Sequence, residues 1–236
     1  MIGKPAQPFK SSWKLRDEIC RSHPELIDFA VKRVEEIIEK YPVDYIALDY
    51  IRWSQPCYCD VCKQRFQADT DLQIEKWPDD VLDKYHHQYN TWRAAQITEM
   101  VRRTAALIAQ SNPKIKLAAF LKEFRLIDGK PYSTHEQRWW EWGDYMDYAM
   151  PMAYGYDNQA IAERCEQTKE LLPATGKARL LPAHAPPGPK GGTDLTRLQQ
   201  IDQQRKYAPI GIVFFKYHDL SDNYLELLEM GPWRNR

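Results

Sequence analysis

Hydrophobic and polar residues alternate along the chain in two patterns, one typical of helices and one typical of short buried strands. In the first clear segment, apolar side chains at positions 27, 30, 31, 34 and 38 fall on one face of a helix. Ser22 and Glu25 are spaced as a capping box, and Pro24 suits the first helical turn. The pattern therefore predicts a helix from about Pro24 to Lys40.

The next segment, Val43 to Ile51, is an apolar run rich in β-branched and aromatic residues, with acidic groups at Asp44 and Asp49. This composition predicts a strand at about 43–50 that is buried on both faces. The alternation then continues to the end of the chain. Helices are predicted at 91–110, at 158–172, from a cap at 193 or 194 to 207, and at 221–229, and strands at 115–121, 147–153, 178–183 and 211–216.

Five short apolar strands separated by single helices predict a parallel sheet with right-handed crossovers. A complete (β/α)₈ barrel needs eight strands and typically about 250 residues, and residues 54–90 form a long inserted loop. The prediction is therefore one α/β domain over residues 1–236 that forms the C-terminal part, strands 4 to 8, of a TIM-type barrel. An open doubly wound sheet is the alternative, although no glycine-rich phosphate turn follows any strand.

Charge and composition narrow the function classes. The chain has 33 basic and 33 acidic residues, which argues against a nucleic-acid surface. No run approaches the roughly 20 apolar residues of a spanning helix, and the N-terminus lacks a signal-peptide core. We therefore expect no membrane span and a cytoplasmic protein as written, or a secreted one if an upstream segment is missing. Eight Trp and fourteen Tyr suit stacking on sugar rings, or simply a core.

Three cysteines, Cys57, Cys59 and Cys62, lie within six residues directly after the first strand. Three soft ligands at this spacing suit tetrahedral zinc. The fourth ligand is expected to be Cys20, Asp60, a histidine or a residue outside this chain, and a disulfide or free thiols are the alternatives. A closed thiolate shell leaves no open position for chemistry, so such a site would be structural, and no organic cofactor is expected.

The string V-D-Y-I-A-L-D-Y-I-R-W, together with D-Y-A-M-P-M-A-Y further along, resembles the glycosyl hydrolase-like family 10 proteins and related hypothetical glycosidases. This resemblance extends from about Trp13 onward and implies a (β/α) barrel whose first three strands are missing. The segment C-Y-C-D-V-C-K-Q-R-F is similar to family 42 β-galactosidases, in which these cysteines contribute to a structural zinc site. The acid of the family 18 chitinase motif is absent, because Ile51 stands in its place.

Glycoside hydrolysis needs two carboxyl groups at the barrel mouth, where strands end. Asp49 lies at the end of its strand and is the first catalytic candidate, with a structural salt bridge to Arg52 as the alternative. Its predicted partner is Glu123 or Asp219. Other strand-exit residues are predicted to contact substrate or to pack at the rim: Arg52, Trp53, Tyr154, His184, Lys216, Tyr217 and His218.

The function predicted from these residues and the resemblance is hydrolysis of glycosidic bonds in a poly- or oligosaccharide. The alternative is a non-catalytic carbohydrate-binding barrel, or an inactive remnant, stabilised by zinc. A zinc-stabilised interaction domain is a third possibility. If three strands are truly missing, exposed strand edges also predict a homodimer. The pair His86 and His87 is interpreted as a solvated loop feature.

Overall fold

The computed structural model describes residues 20–53, 56–133, 135–153, 157–172, 176–187, 192–208 and 210–231. In chain order, its helices are α1 (Pro24–Lys40), α2 (Asp60–Thr70), α3 (Asp79–Leu82), α4 (His86–Ser111), α5 (Asn158–Leu171), α6 (Asp194–Tyr207) and α7 (Asp222–Met230). Its strands are β1 (Tyr45–Leu48), β2 (Lys116–Leu121), β3 (Arg125–Ile127), β4 (Lys130–Tyr132), β5 (Tyr148–Pro151), β6 (Arg179–Leu180), β7 (Ala183–His184) and β8 (Val213–Phe214).

The chain divides into two compact units. Unit 1 consists of the described parts of Met1–Ile46, Ile51–Ile115 and Phe124–Trp142. Unit 2 consists of the described parts of Ala47–Tyr50, Lys116–Glu123 and Gly143–Arg236. Unit 1 therefore holds α1 to α4 and the β3–β4 hairpin, and unit 2 holds most of the sheet and the last three helices.

In unit 1, α1 has the predicted bounds but not the predicted cap. The helix begins after His23, and no side chain caps it. The Ser22 side chain is fully buried and accepts a hydrogen bond from the Cys62 thiol at 3.4 Å. The expected capping box is therefore wrong, because Ser22 is used by the cysteine segment and not by the helix.

The long segment 54–90 is not an irregular loop in its described part. It contains α2 and α3, and α4 begins at His86, five residues before the predicted start. His86 and His87 thus lie in the first turn of a 26-residue helix. Helix α4 packs on α1, where Arg103 donates to Asp28 at 2.7 Å.

In unit 2, the main sheet has the strand order β1-β2-β5-β6. Strand β5 pairs in parallel with β2, with Ala119 opposite Ala149, and also with β6, with Ala149 opposite Leu180. A parallel bridge from Met152 to Ala183 leads on to β7, which pairs in parallel with β8. Apart from the antiparallel β3–β4 hairpin, these pairings are parallel, and the described strands do not close into a barrel, which agrees with the predicted partial barrel.

Strand β1 differs from its prediction. Tyr45 and Ala47 are exposed, whereas Ile46 is buried. The expectation of burial on both faces is wrong for this strand. One face of this strand therefore faces solvent in the structure.

Helices α5, α6 and α7 each begin at a side-chain cap. Asp157 accepts from the Ala160 amide at 2.8 Å, Thr193 accepts from the Thr196 amide, and Ser221 accepts from the Tyr224 amide, both at 3.2 Å. Among the residues that the structure describes, no helix is both long enough and apolar enough to cross a membrane.

Candidate functional site

Four cysteine sulfurs converge in unit 1. The Cys20 sulfur lies 3.5 Å from those of Cys59 and Cys62, and the Cys59 and Cys62 sulfurs are 3.7 Å apart. With Cys57, all four ligand atoms lie within 4.8 Å of one another. The segment before α1 thus meets the start of α2, which brings Cys20 to the three clustered cysteines.

This arrangement fits a tetrahedral metal ion. With metal–sulfur distances of about 2.3 Å, ligands at the corners of a tetrahedron lie about 3.8 Å apart, close to the three shortest distances here. All four cysteines are free, since a disulfide would bring two sulfurs to about 2.05 Å. Mutual hydrogen bonds, first of all with Cys20, lower the pKa of the Cys59 thiol and raise that of Cys62. Four sulfurs this close together can hold a metal ion.

Aromatic packing supports the cysteine cluster. The Tyr89 hydroxyl donates to the carbonyl of Cys57, and Trp77 Nε1 donates to the carbonyl of Tyr58 at 2.9 Å. Tyr89 also stacks on Tyr58 at 5.6 Å and meets Phe66 edge-on at 5.1 Å. Tyr89 belongs to α4, Phe66 to α2, Trp77 to the segment between α2 and α3, and Tyr58 to the cysteine segment itself. These rings therefore hold the cysteine backbone from several sides.

The first catalytic candidate, Asp49, directly follows β1 and is half-buried. The Tyr50 amide donates to Asp49 Oδ1 at 2.7 Å. Tyr50 has a φ of 56°, a left-handed conformation that is uncommon for a bulky residue. The turn after β1 therefore places the Tyr50 amide against the Asp49 carboxylate.

Glu123 lies two residues beyond the end of β2, the neighbour of β1 in the sheet. Its Oε2 is 3.3 Å from Arg164 Nη2 on α5, and its side chain is 44% exposed. The carboxylate is therefore open to solvent while a guanidinium orients it.

Asp219 lies in a 3₁₀ turn, Tyr217–Asp219, that follows β8. Its Oδ1 is 2.9 Å from His218 Nδ1, and both side chains are exposed. Lys216 is also exposed, and Tyr217 is 85% exposed. This group of polar side chains is thus accessible at the exit of its strand.

Two predicted substrate contacts lie in the core instead of at a rim. Trp53 is 2% exposed, its ring stacks under the Arg93 guanidinium at 4.8 Å, and its Nε1 donates to the Arg93 carbonyl. His184 is fully buried, with Nε2 3.2 Å from the Tyr224 hydroxyl. Burial and the charge of Arg197 lower the pKa of His184 to about 3, so its ring stays neutral. Neither side chain is accessible to a ligand here.

Arg52 and Tyr154 are the remaining predicted substrate contacts. Arg52 is 9% exposed and so is almost entirely buried. Tyr154 lies outside the described residues.

A buried ion pair lies outside the site residues predicted from the sequence. Arg93 of α4 and Glu136, which follows the β3–β4 hairpin, are 2.9 Å apart, and their side chains are 2% and 8% exposed. Burial raises the pKa of Glu136 to about 7, although Arg93 opposes this shift. Glu136 lies in a polar stretch after β4, a strand that the sequence does not predict, so it marks no predicted strand exit.

Comparisons with known proteins agree with this architecture. A sequence model of the family described as glycosyl hydrolase-like 10 matches residues 19–178, well over half of the chain. The chain is also similar to the PgaB (BpsB) glycoside hydrolase domain from Bordetella bronchiseptica, with a TM-score of 0.65 and 12% identity. This match covers 95% of the chain and 65% of that domain. The similarity confirms the predicted fold class, an α/β chain built as part of a barrel.

Two further similarities are more limited. A glucosidase from Croceicoccus marinus has a TM-score of 0.45 and 13% identity over 84% of this chain and 41% of that one. An S-layer-related protein from Niallia circulans is 34% identical over 66 residues, which are 26% of this chain and 4% of that protein. The chain therefore spans only part of each of these proteins.

Proposed function

The chain belongs to the glycosyl hydrolase-like 10 family, and from this premise we propose that it hydrolyses glycosidic bonds of a poly- or oligosaccharide with Asp49 as a central carboxylate. Hydrolysis requires one carboxyl group to protonate the leaving oxygen and a second to act as nucleophile or to activate water. The barrel-type scaffold shared with a glycoside hydrolase domain suits this chemistry, since active sites on such scaffolds lie at strand ends.

The observation that carries this proposal is the position of Asp49 immediately after β1, with its carboxylate held by the Tyr50 amide. A carboxylate that acts on a bound sugar must keep one orientation, because small displacements cost much of the rate. The left-handed backbone at Tyr50 supports such a fixed geometry.

For the second carboxyl group we favour Glu123 over Asp219. Glu123 follows β2, which neighbours β1 in the sheet, so both carboxylates belong to adjacent strands of unit 2. Asp219 follows β8, which pairs with β7 and does not neighbour β1 in the described strand order. The exposed group at Lys216, Tyr217 and His218 then supplies hydrogen bonds and a ring face to the substrate.

We also propose that the four cysteines hold a structural zinc ion. Zinc favours four thiolates in tetrahedral geometry, and a complete set of protein ligands leaves no position for a reacting water. The ion would tie the segment before α1 to the start of α2 within unit 1. Its contribution to function is the stability of that unit.

Turnover of aryl-glycosides and of a polysaccharide panel tests the hydrolase proposal. The Asp49→Asn substitution is expected to lower the rate by roughly 10²–10⁴-fold, the range of general acid–base contributions. Asp44→Asn is the matched control, because Asp44 is exposed at the opposite end of the same strand and should keep full activity. Equal turnover by the Asp49 variant and the wild type, or binding without any turnover, contradicts the proposal.

A further inference from the structure

A groove of about 140 Å³ lies in unit 1, between the first turns of α4 and the segment that follows β4. All three carboxylates proposed for hydrolysis belong to unit 2. The side chains that matter to the groove's chemistry are His86, Asn90, Tyr132, Glu136, Arg138 and Trp140. The groove therefore has its own set of polar and aromatic groups, which the proposed hydrolysis does not use.

The polar groups of the groove are held in place by one another. Glu136 Oε2 accepts from Arg93 at 2.9 Å, and Arg93 Nη1 donates to Asn90 Oδ1 at 3.2 Å. The Asn90 amide nitrogen lies 3.1 Å from His86 Nε2. Connected hydrogen bonds of this kind hold side chains rigid before a ligand arrives.

The backbone at Glu136 is also unusual. Its φ is 47°, in the left-handed region that side chains other than glycine, asparagine and aspartate rarely adopt. Such a conformation is energetically unfavourable and persists only where the surrounding structure holds the residue in place. Residues of this kind cluster at ligand sites. The Glu136 side chain is thus buried, lies on a strained backbone and lines the groove.

The guanidinium groups of Arg93 and Arg138 each have a carboxyl partner. The Arg93 guanidinium pairs with Glu136, and Arg138 lies 2.7 Å from Glu141. An anion would have to compete with these carboxyl groups for the two guanidinium groups. Within the ranges that the structure describes, the four cysteines are the only cluster of three or more side chains suited to a metal. The groove therefore suits a neutral ligand.

Aromatic rings and size narrow the ligand class further. Tyr132 is exposed and Trp140 half-buried, and both contribute ring surface to the lining. Sites for drug-sized ligands occupy roughly 300–1,000 Å³, so this smaller groove suits a single ring. A sugar ring combines the required features, because it is neutral, has an apolar C–H face and carries hydroxyl groups at its edge.

We propose that this groove binds one sugar ring of a glycan, with Glu136 and Asn90 hydrogen-bonding to hydroxyl groups and Trp140 packing on the C–H face. The choice of a glycan among neutral hydroxyl-bearing ligands rests on the proposed function. Because burial raises the pKa of Glu136 to about 7, its carboxyl group can accept or donate a hydrogen bond near neutral pH.

Calorimetric titration of the full chain tests the groove. The Asp49→Asn protein, which prevents turnover, is titrated with cellohexaose, chitohexaose and maltohexaose. Adding Glu136→Gln or Trp140→Ala should weaken binding of the preferred hexasaccharide by about tenfold or more, as expected for losing a set of hydrogen bonds or a stacked ring. Glu136→Gln keeps the shape of the side chain, and circular dichroism checks that each variant is folded.

Glu39→Gln and Tyr41→Ala are the matched controls, because both side chains are exposed at the end of α1, away from the groove lining, and should leave the affinity unchanged. The inference is overturned if no hexasaccharide binds, or if both groove variants bind as tightly as the parent. Wild-type hydrolysis is scored separately. If the wild type hydrolyses a glycan but the groove variants bind as tightly as the parent, only the groove inference is rejected. If the groove variants bind more weakly but the wild type hydrolyses nothing, only the proposed reaction is rejected.

Discussion

The sulfur atoms of Cys20 and Cys62 lie 3.5 Å apart although 42 positions separate the two residues in the chain. Cys20 precedes α1, whereas Cys62 lies in the first turn of α2. The metal ion proposed for this cluster would close a long loop, and metal binding that occurs only in the folded state adds its free energy to folding. The cysteine cluster should therefore matter to stability more than to chemistry.

The first prediction concerns this metal. Protein purified in the presence of zinc should contain about one zinc ion per chain, the content of a single tetrahedral site. Cys59→Ser should lose the ion and unfold at lower temperature, because three sulfurs no longer complete the shell. Metal analysis and a thermal unfolding scan measure both effects.

Cys165→Ser is the control for the metal prediction. Cys165 is also a buried free thiol, but it lies in unit 2 and outside the cluster. This variant should keep the zinc content of the wild type, although burying a hydroxyl lowers its stability. Zinc retained in full by Cys59→Ser, or zinc lost equally in both variants, refutes the assignment of the site.

The second prediction concerns the partner of Asp49. Glu123→Gln should lower kcat by roughly 10²–10⁴-fold, because a carboxyl group that transfers a proton or attacks the sugar has no substitute in an amide. Asp219→Asn should change kcat by less than about tenfold, as expected for a group that only binds or orients substrate. Steady-state kinetics on the best substrate distinguishes them, and the reverse order of effects would make Asp219 the partner.

The sequence predicts most of the regular elements because their patterns depend on local spacing. The bounds of α1 agree with those read from its apolar face, and α5 begins at the predicted residue, 158. Helix α2 was missed since only Cys62 and Phe66 are buried on it, which is too few apolar positions to mark a face. The predicted strand at 178–183 is interrupted, because Pro182 has no amide hydrogen to donate to a neighbouring strand.

Features that depend on tertiary neighbours could not be read from the sequence. Strand β1 has a run of apolar residues, yet Tyr45 is exposed, because the burial of a strand face depends on which elements cover it. The choice of Cys20 among the possible fourth ligands likewise depends on how the segment before α1 meets α2. The Arg93–Glu136 pair joins residues 43 positions apart, and no local pattern marks it.

The third prediction tests a helix cap. The Ser221 hydroxyl accepts from the Tyr224 amide at the start of α7. Ser221→Ala should lower the free energy of unfolding by about 1 kcal/mol, the usual cost of losing such a cap. Ser111→Ala, at the exposed last residue of α4, should change it by less than about 0.5 kcal/mol. Urea unfolding measures both, and equal losses would show that the Ser221 hydroxyl does not cap the helix.

The last prediction concerns pH and Glu136. Burial raises the pKa of this carboxyl to about 7 in the folded chain, whereas its ordinary value is 4.5. Between these values the folded state holds a proton that the unfolded state has released, so stability is greatest below the lower value and falls as pH rises toward the higher one. From the difference between the two pKa values, ionisation of Glu136 should lower the free energy of unfolding by roughly 3 kcal/mol as the pH rises from the lower value to the higher one.

Glu136→Gln removes the titrating group and should flatten this part of the pH dependence. Urea unfolding of the wild type and the variant at about pH 5 and about pH 8 measures the difference, which isolates Glu136 because every other titrating group is common to both proteins. Glu39→Gln, at an exposed position, should keep the wild-type dependence. Parallel pH profiles for all three proteins would mean that the Glu136 carboxyl is already ionised in the folded chain, held by its ion pair with Arg93.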